Sequence, residues 1–93
     1  MGVIFDIVYH ESVVKEDIPR LSTTDKVRVK KVIEEKLSSA PEAFGKPLRR
    51  SLKGYRKLRI GDFRVIFRID GKTVKILIIG HRSAVYQMES KRF

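Results

Sequence analysis

Residues 54–79 decide the fold, and they read GYRKLRIGDFRVIFRIDGKTVKILII. Three runs in this stretch are rich in β-branched and aromatic side chains, and they cover residues 54–60, 63–69 and 72–79. The dipeptides between them are Gly61-Asp62 and Asp70-Gly71. Asp-Gly is a strong signal for a two-residue hairpin loop, and Gly-Asp is a reasonable one. The three runs are therefore predicted to form an antiparallel meander.

Pairing across these two loops sorts the side chains onto two faces of the sheet. With Asp70-Gly71 as a loop, Phe67 is predicted to pair with Val74, and one face is apolar: Leu58, Ile60, Phe63, Val65, Phe67, Val74, Ile76 and Ile78. By alternation, the opposite face carries Tyr55, Lys57, Arg59, Arg64, Ile66, Arg68, Lys75 and Leu77. Arg59 and Arg64 are predicted to lie directly opposite each other. Like charges in register cost stability, so their presence suggests a use for them.

The first half of the chain predicts a strand and two helices. Residues 3–9 are typical of a strand, and residues 11–20 predict a short helix that ends near Pro19. Thr23 and Thr24 offer an N-cap to a second helix, whose apolar stripe is Val29, Val32, Ile33 and Leu37. A connector follows at residues 41–52. The predicted fold is one α+β domain over residues 1–93, ordered β-α-α-β-β-β, with two N-terminal helices packed on a small antiparallel sheet.

The charge of the chain is concentrated in its second half. The sequence has 21 Lys and Arg against 11 Asp and Glu, a net charge of +10. Residues 1–45 have a net charge of −1 and residues 46–93 a net charge of +11. This excess favours a polyanionic partner, which is nucleic acid, a membrane surface or an acidic protein.

Composition also excludes several classes of protein. The chain has no cysteine, which excludes a disulfide framework and a cysteine-ligated zinc site. The N-terminus does not have the pattern of a signal peptide, and the longest uncharged apolar run, residues 76–80, is too short to cross a bilayer. We therefore expect a soluble cytoplasmic domain with no segment that spans a membrane.

A basic cluster lies within the predicted sheet. From Lys46 to Arg68 there are nine basic residues and one acidic residue, Asp62. Single basic residues on strands are often only solvated and discourage edge aggregation. A cluster of this density instead favours a face that binds a polyanion, and Tyr55 within it offers a surface on which a base can stack.

Residues 80–86, GHRSAVY, bring three chemically useful side chains to the end of the last strand. His81 is an acid-base candidate near neutral pH, although a lone histidine is more often structural. Tyr86 is a candidate proton donor, although alone it is more often a packing residue. Arg82 adds a positive charge between them.

Two stretches resemble a known family of proteins. Residues 52–67 resemble the central hairpin of RelE/ParE superfamily toxins, and residues 79–86 resemble their closing motif. These proteins are the toxins of type II toxin-antitoxin pairs. The RelE branch implies a metal-independent endoribonuclease that cuts mRNA in the ribosomal A site, whereas the ParE branch shares the fold and poisons DNA gyrase.

The resemblance also implies roles for individual residues. Arg64 matches the arginine that contacts the scissile phosphate in the RelE branch, and Arg82 and Tyr86 match the closing motif. Lys57 and Arg59 match basic positions on the preceding strand, and His81 matches members that have histidine rather than lysine there. The implied catalytic set is Lys57, Arg64, His81, Arg82 and Tyr86. The residues assigned to RNA binding are Lys53, Tyr55, Arg56, Arg59 and Arg68.

The chemistry implied by the RelE branch suits these residue types. An RNA strand is cleaved when its own 2′-hydroxyl attacks the adjacent phosphorus, so the enzyme supplies a base, an acid and positive charge, and neither metal nor cofactor is expected. The implied partners are the ribosome, mRNA and an acidic antitoxin that wraps the toxin as a heterodimer or heterotetramer. Two alternatives stay open: a ParE-like gyrase inhibitor without nuclease activity, and a basic RNA-binding module without toxicity.

Overall fold

The computed structural model describes residues 4–47 and 54–92, and these form a five-stranded sheet with helices on both faces. The strands are β1 (Asp6–Tyr9), β2 (Lys46–Pro47), β3 (Tyr55–Ile60), β4 (Phe63–Asp70) and β5 (Thr73–His81). The α-helices are α1 (Thr23–Leu37), α2 (Pro41–Phe44) and α3 (Val85–Arg92). The strand order in the sheet is β1-β5-β4-β3-β2.

The predicted meander of three strands is present, and its first register is confirmed. Strands β3 and β4 are antiparallel, with Leu58 opposite Val65 and Arg59 opposite Arg64. Gly61 begins the loop between them with a φ of 57°, a left-handed conformation that glycine adopts without steric cost.

The predicted register between β4 and β5 is wrong. Phe67 lies opposite Ile76, not Val74, and Asp70 is still paired, with Thr73. The two-residue loop is therefore Gly71-Lys72. Gly71 has a φ of 62°, and a tight loop with glycine in its first central position matches the twist of the flanking strands. The position of the glycine thus moves the loop by one residue.

A β-bulge then changes which face the end of β5 presents. Phe67 lies opposite Ile76 but Ile66 lies opposite Ile78, so β5 has one extra residue, Leu77, between these pairs. One extra residue reverses the alternation of all the residues that follow it. Ile78, predicted on the core face, therefore packs with Ile66 on the opposite face, and Ile79 enters the main core instead.

The sheet is also larger than predicted, and it is mixed. Strand β1 pairs in parallel with β5, from Asp6 opposite Thr73 to Tyr9 opposite Ile76. Strand β2, within the predicted connector, pairs with β3 and forms the other edge. The prediction of a small antiparallel sheet was wrong because the pairing of β1 depends on contacts that are distant in sequence, and two residues carry too little pattern to identify β2.

The main core lies between α1 and one face of the sheet, as the apolar stripe predicts. Val29, Ile33 and Leu37 of α1 are buried in a cluster with sheet residues that include Val65 and Phe67. Helix α1 is capped by Ser22, whose side chain accepts a bond from the Asp25 N–H at 3.1 Å, so the predicted cap at Thr23 or Thr24 is one or two residues late. We call this the helix side of the sheet and the opposite face the outer face.

The first predicted helix, over residues 11–20, is not a regular α-helix. It contains a π-helical segment, Val13–Asp17, followed by a 3₁₀ turn, Ile18–Arg20, that holds Pro19. The side chains of this segment have too weak a pattern to favour one helical period. Burial of Val13 and Asp17 holds the segment against the sheet.

Helix α3 covers part of the outer face and was not predicted. Val85 is buried with Ile66 and Ile78, and Tyr55 and Met88 pack against this second cluster. The helix has few apolar residues, so its formation depends on the apolar patch that the bulge creates beneath it. None of the helices in the described residues is both long and apolar enough to cross a membrane.

Candidate nucleic-acid interface

The outer face carries a row of basic side chains across three strands. Arg59 of β3 lies directly opposite Arg64 of β4, as predicted, and Lys57 lies two residues along the same face of β3. Arg68 and Lys75 continue the row on β4 and β5, where they face each other. The alternation predicted from the sequence is therefore confirmed for Lys57, Arg59, Arg64, Arg68 and Lys75.

The two ends of this row differ in charge balance. At one end, Asp70 lies 3.6 Å from Arg68 and 3.2 Å from Lys75, so a single carboxylate pairs with two cations. At the other end, no carboxylate of a described residue lies within ion-pair distance of the side chain of Lys57, Arg59 or Arg64. We give the name basic row to these three residues alone, because none of them forms an ion pair with a described carboxylate.

The loop between β3 and β4 gathers two of the predicted catalytic arginines. Arg64 Nη1 donates to the carbonyl of Gly61 at 3.0 Å and to that of Phe63 at 2.9 Å. The Arg82 N–H donates to the carbonyl of Asp62 at 2.8 Å, and its Nε lies 3.9 Å from the Asp62 carboxylate. Arg64 and Arg82 therefore both make contacts to the Gly61-Asp62 loop.

A third arginine at this loop was not singled out from the sequence. The guanidinium of Arg28, on α1, lies 2.8 to 3.3 Å from the point where a Cβ on Gly61 would stand. Nothing in the helical pattern of α1 distinguishes Arg28 from its other exposed cations, because its approach to the loop depends on how α1 crosses the sheet.

Helix α3 places Tyr86 next to the basic row. The Nζ of Lys57 lies 5.8 Å from the centre of the Tyr86 ring, within cation–π range, and Tyr86 is 67% exposed. Tyr86 is thus accessible to a ligand that binds the basic row. The structure brings Lys57 and Tyr86 together, which no spacing in the sequence indicates.

Glu89 is a further acidic group near Lys57. It follows Tyr86 by three residues on α3, so the two side chains are neighbours on one side of the helix. Partial burial raises the pKa of Glu89, and the positive charge of Lys57 offsets part of that rise. Sequence analysis missed Glu89 because α3 was not predicted and a single glutamate has no pattern.

His81 is not on the same side of the sheet as the basic row. Its ring meets that of Phe63 edge to face at 5.9 Å, and Phe63 packs against the core on the helix side. Its Nδ1 accepts the Ser83 N–H at 3.2 Å and lies 2.8 Å from Ser83 Oγ. The bulge at Leu77 is the reason, because without it His81 would alternate onto the outer face.

The residues assigned to RNA binding separate into different environments. Tyr55 packs under α3, and the guanidinium of Arg68 lies 6.0 Å from the centre of its ring. Arg56 points to the helix side, where it donates to the carbonyls of Gly45 at 3.0 Å and Glu42 at 3.4 Å, so its side chain attaches α2 to β3. Lys53 lies outside the described residues.

The arrangement suits a phosphodiester more than a metal ion. Guanidinium and ammonium groups on one rigid sheet surface match the oxygens of successive phosphates, and a neighbouring phenol supplies a proton or a stacking surface. In the part of the chain that the structure describes, no group of three or more His, Asp or Glu side chains has the geometry to hold a metal ion.

Comparison with known proteins places the chain in a family. The profile of the ParE toxin of type II toxin-antitoxin systems matches residues 9–86. The curated toxin RelE of Mycobacterium tuberculosis is 43% identical over 58 residues, and the chain spans only 60% of the length of that relative.

Solved structures of proteins from toxin-antitoxin systems have a similar fold. The toxin-antitoxin complex RelBE2 of Mycobacterium tuberculosis contains a chain that is 32% identical, with a TM-score of 0.79 over 87% of this chain and 94% of that one. A chain of the ParDE system of P. aeruginosa is 18% identical, with a TM-score of 0.61 over 84% of this chain and 96% of that one, and it shares the fold alone. The sheet, its basic face and these matches together show that the chain belongs to the RelE/ParE superfamily of type II toxin-antitoxin toxins.

Proposed function

We propose that this toxin is a RelE-like endoribonuclease that cleaves mRNA on the ribosome and so inhibits translation. The observation that carries the proposal is the basic row of Lys57, Arg59 and Arg64. It forms no ion pair with a described carboxylate, and the exposed Tyr86 borders it. Like charges side by side on one sheet surface repel one another and lower the stability of the fold. A bound polyanion removes this repulsion.

The proposed mechanism uses the RNA's own nucleophile. The 2′-hydroxyl loses a proton to a base, and its oxygen attacks the adjacent phosphorus. The bond to the 5′-oxygen then breaks, and the products are a 2′,3′-cyclic phosphate and a 5′-hydroxyl. Arg64 and Arg82 at the Gly61-Asp62 loop stabilise the charge on the phosphorus oxygens. A well-aimed donor of this kind contributes about 3 kcal/mol in the transition state.

Tyr86 and a nearby acid-base group supply the two proton transfers. The phenol of Tyr86, next to Lys57, donates the proton that the leaving 5′-oxygen takes. Glu89 is on the same side of the sheet as Tyr86, and its raised pKa makes it a stronger base than an ordinary glutamate. His81 lies on the helix side, so Glu89 is better placed to remove the proton. Lys57 and Arg59 hold the RNA backbone.

The proposed protein partner is an acidic antitoxin. The net charge of +10 favours such a partner, and the solved relatives include toxin-antitoxin complexes. We propose that the antitoxin covers the basic row or displaces α3, and that the free toxin acts in the cytoplasm on ribosome-bound mRNA.

The direct test maps mRNA ends in a purified translation system. Wild-type toxin is expected to produce new ends on translated mRNA. The Arg64→Ala, Tyr86→Phe double variant should produce almost none. A Lys26→Ala variant is a control with the same loss of charge, because Lys26 lies on α1 at the other side of the sheet. Identical cleavage patterns for wild type and the Arg64→Ala, Tyr86→Phe variant would refute the proposed endoribonuclease activity.

A gyrase inhibitor of the ParE type is the second candidate. It is favoured by the family profile over residues 9–86, which is that of ParE toxins. A DNA supercoiling assay at the same toxin concentration separates the two. Inhibition of gyrase without mRNA cleavage would establish this second function.

A further inference from the structure

Asp17 is the one charged side chain that is buried among the described residues, with 1% of its surface exposed. It ends the π-helical segment, and its Oδ2 accepts the backbone N–H of Ile79 at 2.9 Å. Ile79 lies beyond Ile76, the last residue of β5 that pairs with β1. Asp17 therefore supplies a hydrogen-bond partner to β5 beyond the end of β1. A buried carboxylate of this kind is stable only if it is also paired with a cation.

The cation is Arg92, the last residue of α3. Its Nη1 and Nη2 donate to Oδ2 and Oδ1 of Asp17 at 2.8 and 2.6 Å, a two-pronged ion pair. Its Nη1 also donates to the carbonyl of Leu77 at 2.9 Å, and Leu77 is the extra residue of the bulge. Asp17 and Arg92 thus attach the C-terminal end of α3 to the irregular part of β5.

The other end of α3 is held by apolar packing. Val85 is buried, and Met88 packs so closely on Gly80 that a Cβ there would lie 2.5 Å from its Sδ. An eight-residue helix is not stable by itself in water, so contacts at its two ends determine where α3 lies. Arg92 is six residues from Tyr86, which is about 9 Å along the helix axis.

The position of Tyr86 depends on the position of α3. Its hydroxyl makes no hydrogen bond to a described residue, and the ring meets Lys57 only at the range of a cation–π contact. The direction of the phenol relative to Lys57 and Arg64 therefore follows the rotation of α3, because the contacts that fix this helix are made by Val85, Met88 and Arg92 and not by the Tyr86 hydroxyl.

We propose that the Asp17–Arg92 ion pair is a positioning device that holds Tyr86 over the basic row for RNA cleavage. This inference rests on the proposed function, because it gives the pair a role in the reaction. Asp17 and Arg92 do not touch the RNA. They act through α3.

The first experiment compares Arg92→Ala with Lys91→Ala, which removes the same charge from the neighbouring exposed position of α3. We expect Arg92→Ala to lower the single-turnover rate of mRNA cleavage about 100-fold, the effect of misplacing a reacting group by about 1 Å. RNA affinity should stay within about twofold, and Lys91→Ala should retain the wild-type rate. If Arg92→Ala cleaves as fast as wild type, the inference is refuted.

A double-mutant cycle separates positioning from general damage to the fold. If Arg92 acts through Tyr86, Arg92→Ala should cost little further rate in a Tyr86→Phe background. Equal losses with and without the phenol would show that Arg92 acts elsewhere and would overturn the inference. If Arg92→Ala does not fold, Arg92→Lys replaces it in the cycle, because lysine keeps the charge and loses the two-pronged geometry.

A measurement without RNA distinguishes failure of this inference from failure of the proposed function. A nuclear Overhauser effect between the Tyr86 ring and the Lys57 ε-methylene is expected in wild type and in Lys91→Ala, and it should disappear in Arg92→Ala and weaken in Arg92→Lys. If wild type cuts no RNA but this pattern holds, the nuclease is refuted and the positioning is supported. If the effect persists in Arg92→Ala, the positioning is refuted whatever the activity.

Discussion

The basic row predicts how strongly RNA binding depends on salt. Lys57, Arg59 and Arg64 form no ion pair with a described carboxylate, whereas Arg68 and Lys75 share Asp70. We therefore count three phosphate contacts. Each contact to a single strand contributes a slope of about −0.7 in a plot of log affinity against log salt concentration, so the expected slope is about −2.1. Raising the salt from 50 to 200 mM should then weaken binding about 18-fold.

Removing two of these cations should reduce the salt dependence of RNA binding. The Arg59→Ala, Arg64→Ala variant keeps one contact, so its slope should be about −0.7 and the same salt change should weaken binding only about threefold. Relief of the repulsion between two opposed arginines should also leave this variant at least as stable as wild type.

The assay is fluorescence anisotropy with a labelled single-stranded RNA at four salt concentrations. The control is Lys26→Ala, Lys30→Ala, which has the same net charge as the test variant and loses its cations on the other side of the sheet. The control should keep the wild-type slope. If both double variants change the slope equally, RNA responds to the overall charge of the protein and the basic row is not the binding site.

Three further predictions concern stability and titration. Gly45→Ala should lower the free energy of unfolding by about 1 to 3 kcal/mol in urea titrations, because the new Cβ would lie 2.8 Å from Cε1 of the buried Phe67; an unchanged midpoint would show that Phe67 has room to move. Glu89→Gln should raise stability at neutral pH and not at acidic pH. The raised pKa of Glu89 means that the folded state favours the protonated form, so wild type loses stability as the pH rises through that pKa. Thermal unfolding between pH 4 and pH 7 measures this, and parallel curves for the two proteins would contradict it. Burial, with a smaller effect of Glu34, raises the pKa of Tyr9 to about 12, and the Tyr9 hydroxyl finds no hydrogen-bond partner among the described residues. Ultraviolet titration should therefore show one tyrosine ionising near pH 12, and Tyr9→Phe should remove that step and leave the protein as stable or about 1 kcal/mol more stable; a loss of stability would reveal a partner for the hydroxyl.

Local patterns predicted the part of the site that lies on β3 and β4. Alternation along the strands and the glycine at residue 61 are sufficient to place Arg59 opposite Arg64. The loop at Gly71 was predicted one residue early. Asp70-Gly71 and Gly71-Lys72 are both plausible two-residue loops, and the local sequence does not distinguish between them.

The remaining errors follow from the bulge and from contacts distant in sequence. The extra residue at Leu77 sends Ile78 to the outer face and His81 to the helix side. The predicted acid-base residue is therefore separated from Lys57 and Tyr86, and Glu89 on the unpredicted α3 lies nearer. No local pattern marks this bulge, because residues 76–79 are all aliphatic.

The sequence by itself determined the meander, the apolar stripe of α1, the basic surface and the resemblance to its family. These properties depend on periodicity and composition, which are local. The tertiary structure decided the parallel pairing of β1, the face on which His81 lies, and the meeting of Lys57 with Tyr86. It also decided the burial of Asp17 against Arg92, because each of these depends on packing between segments far apart in the chain.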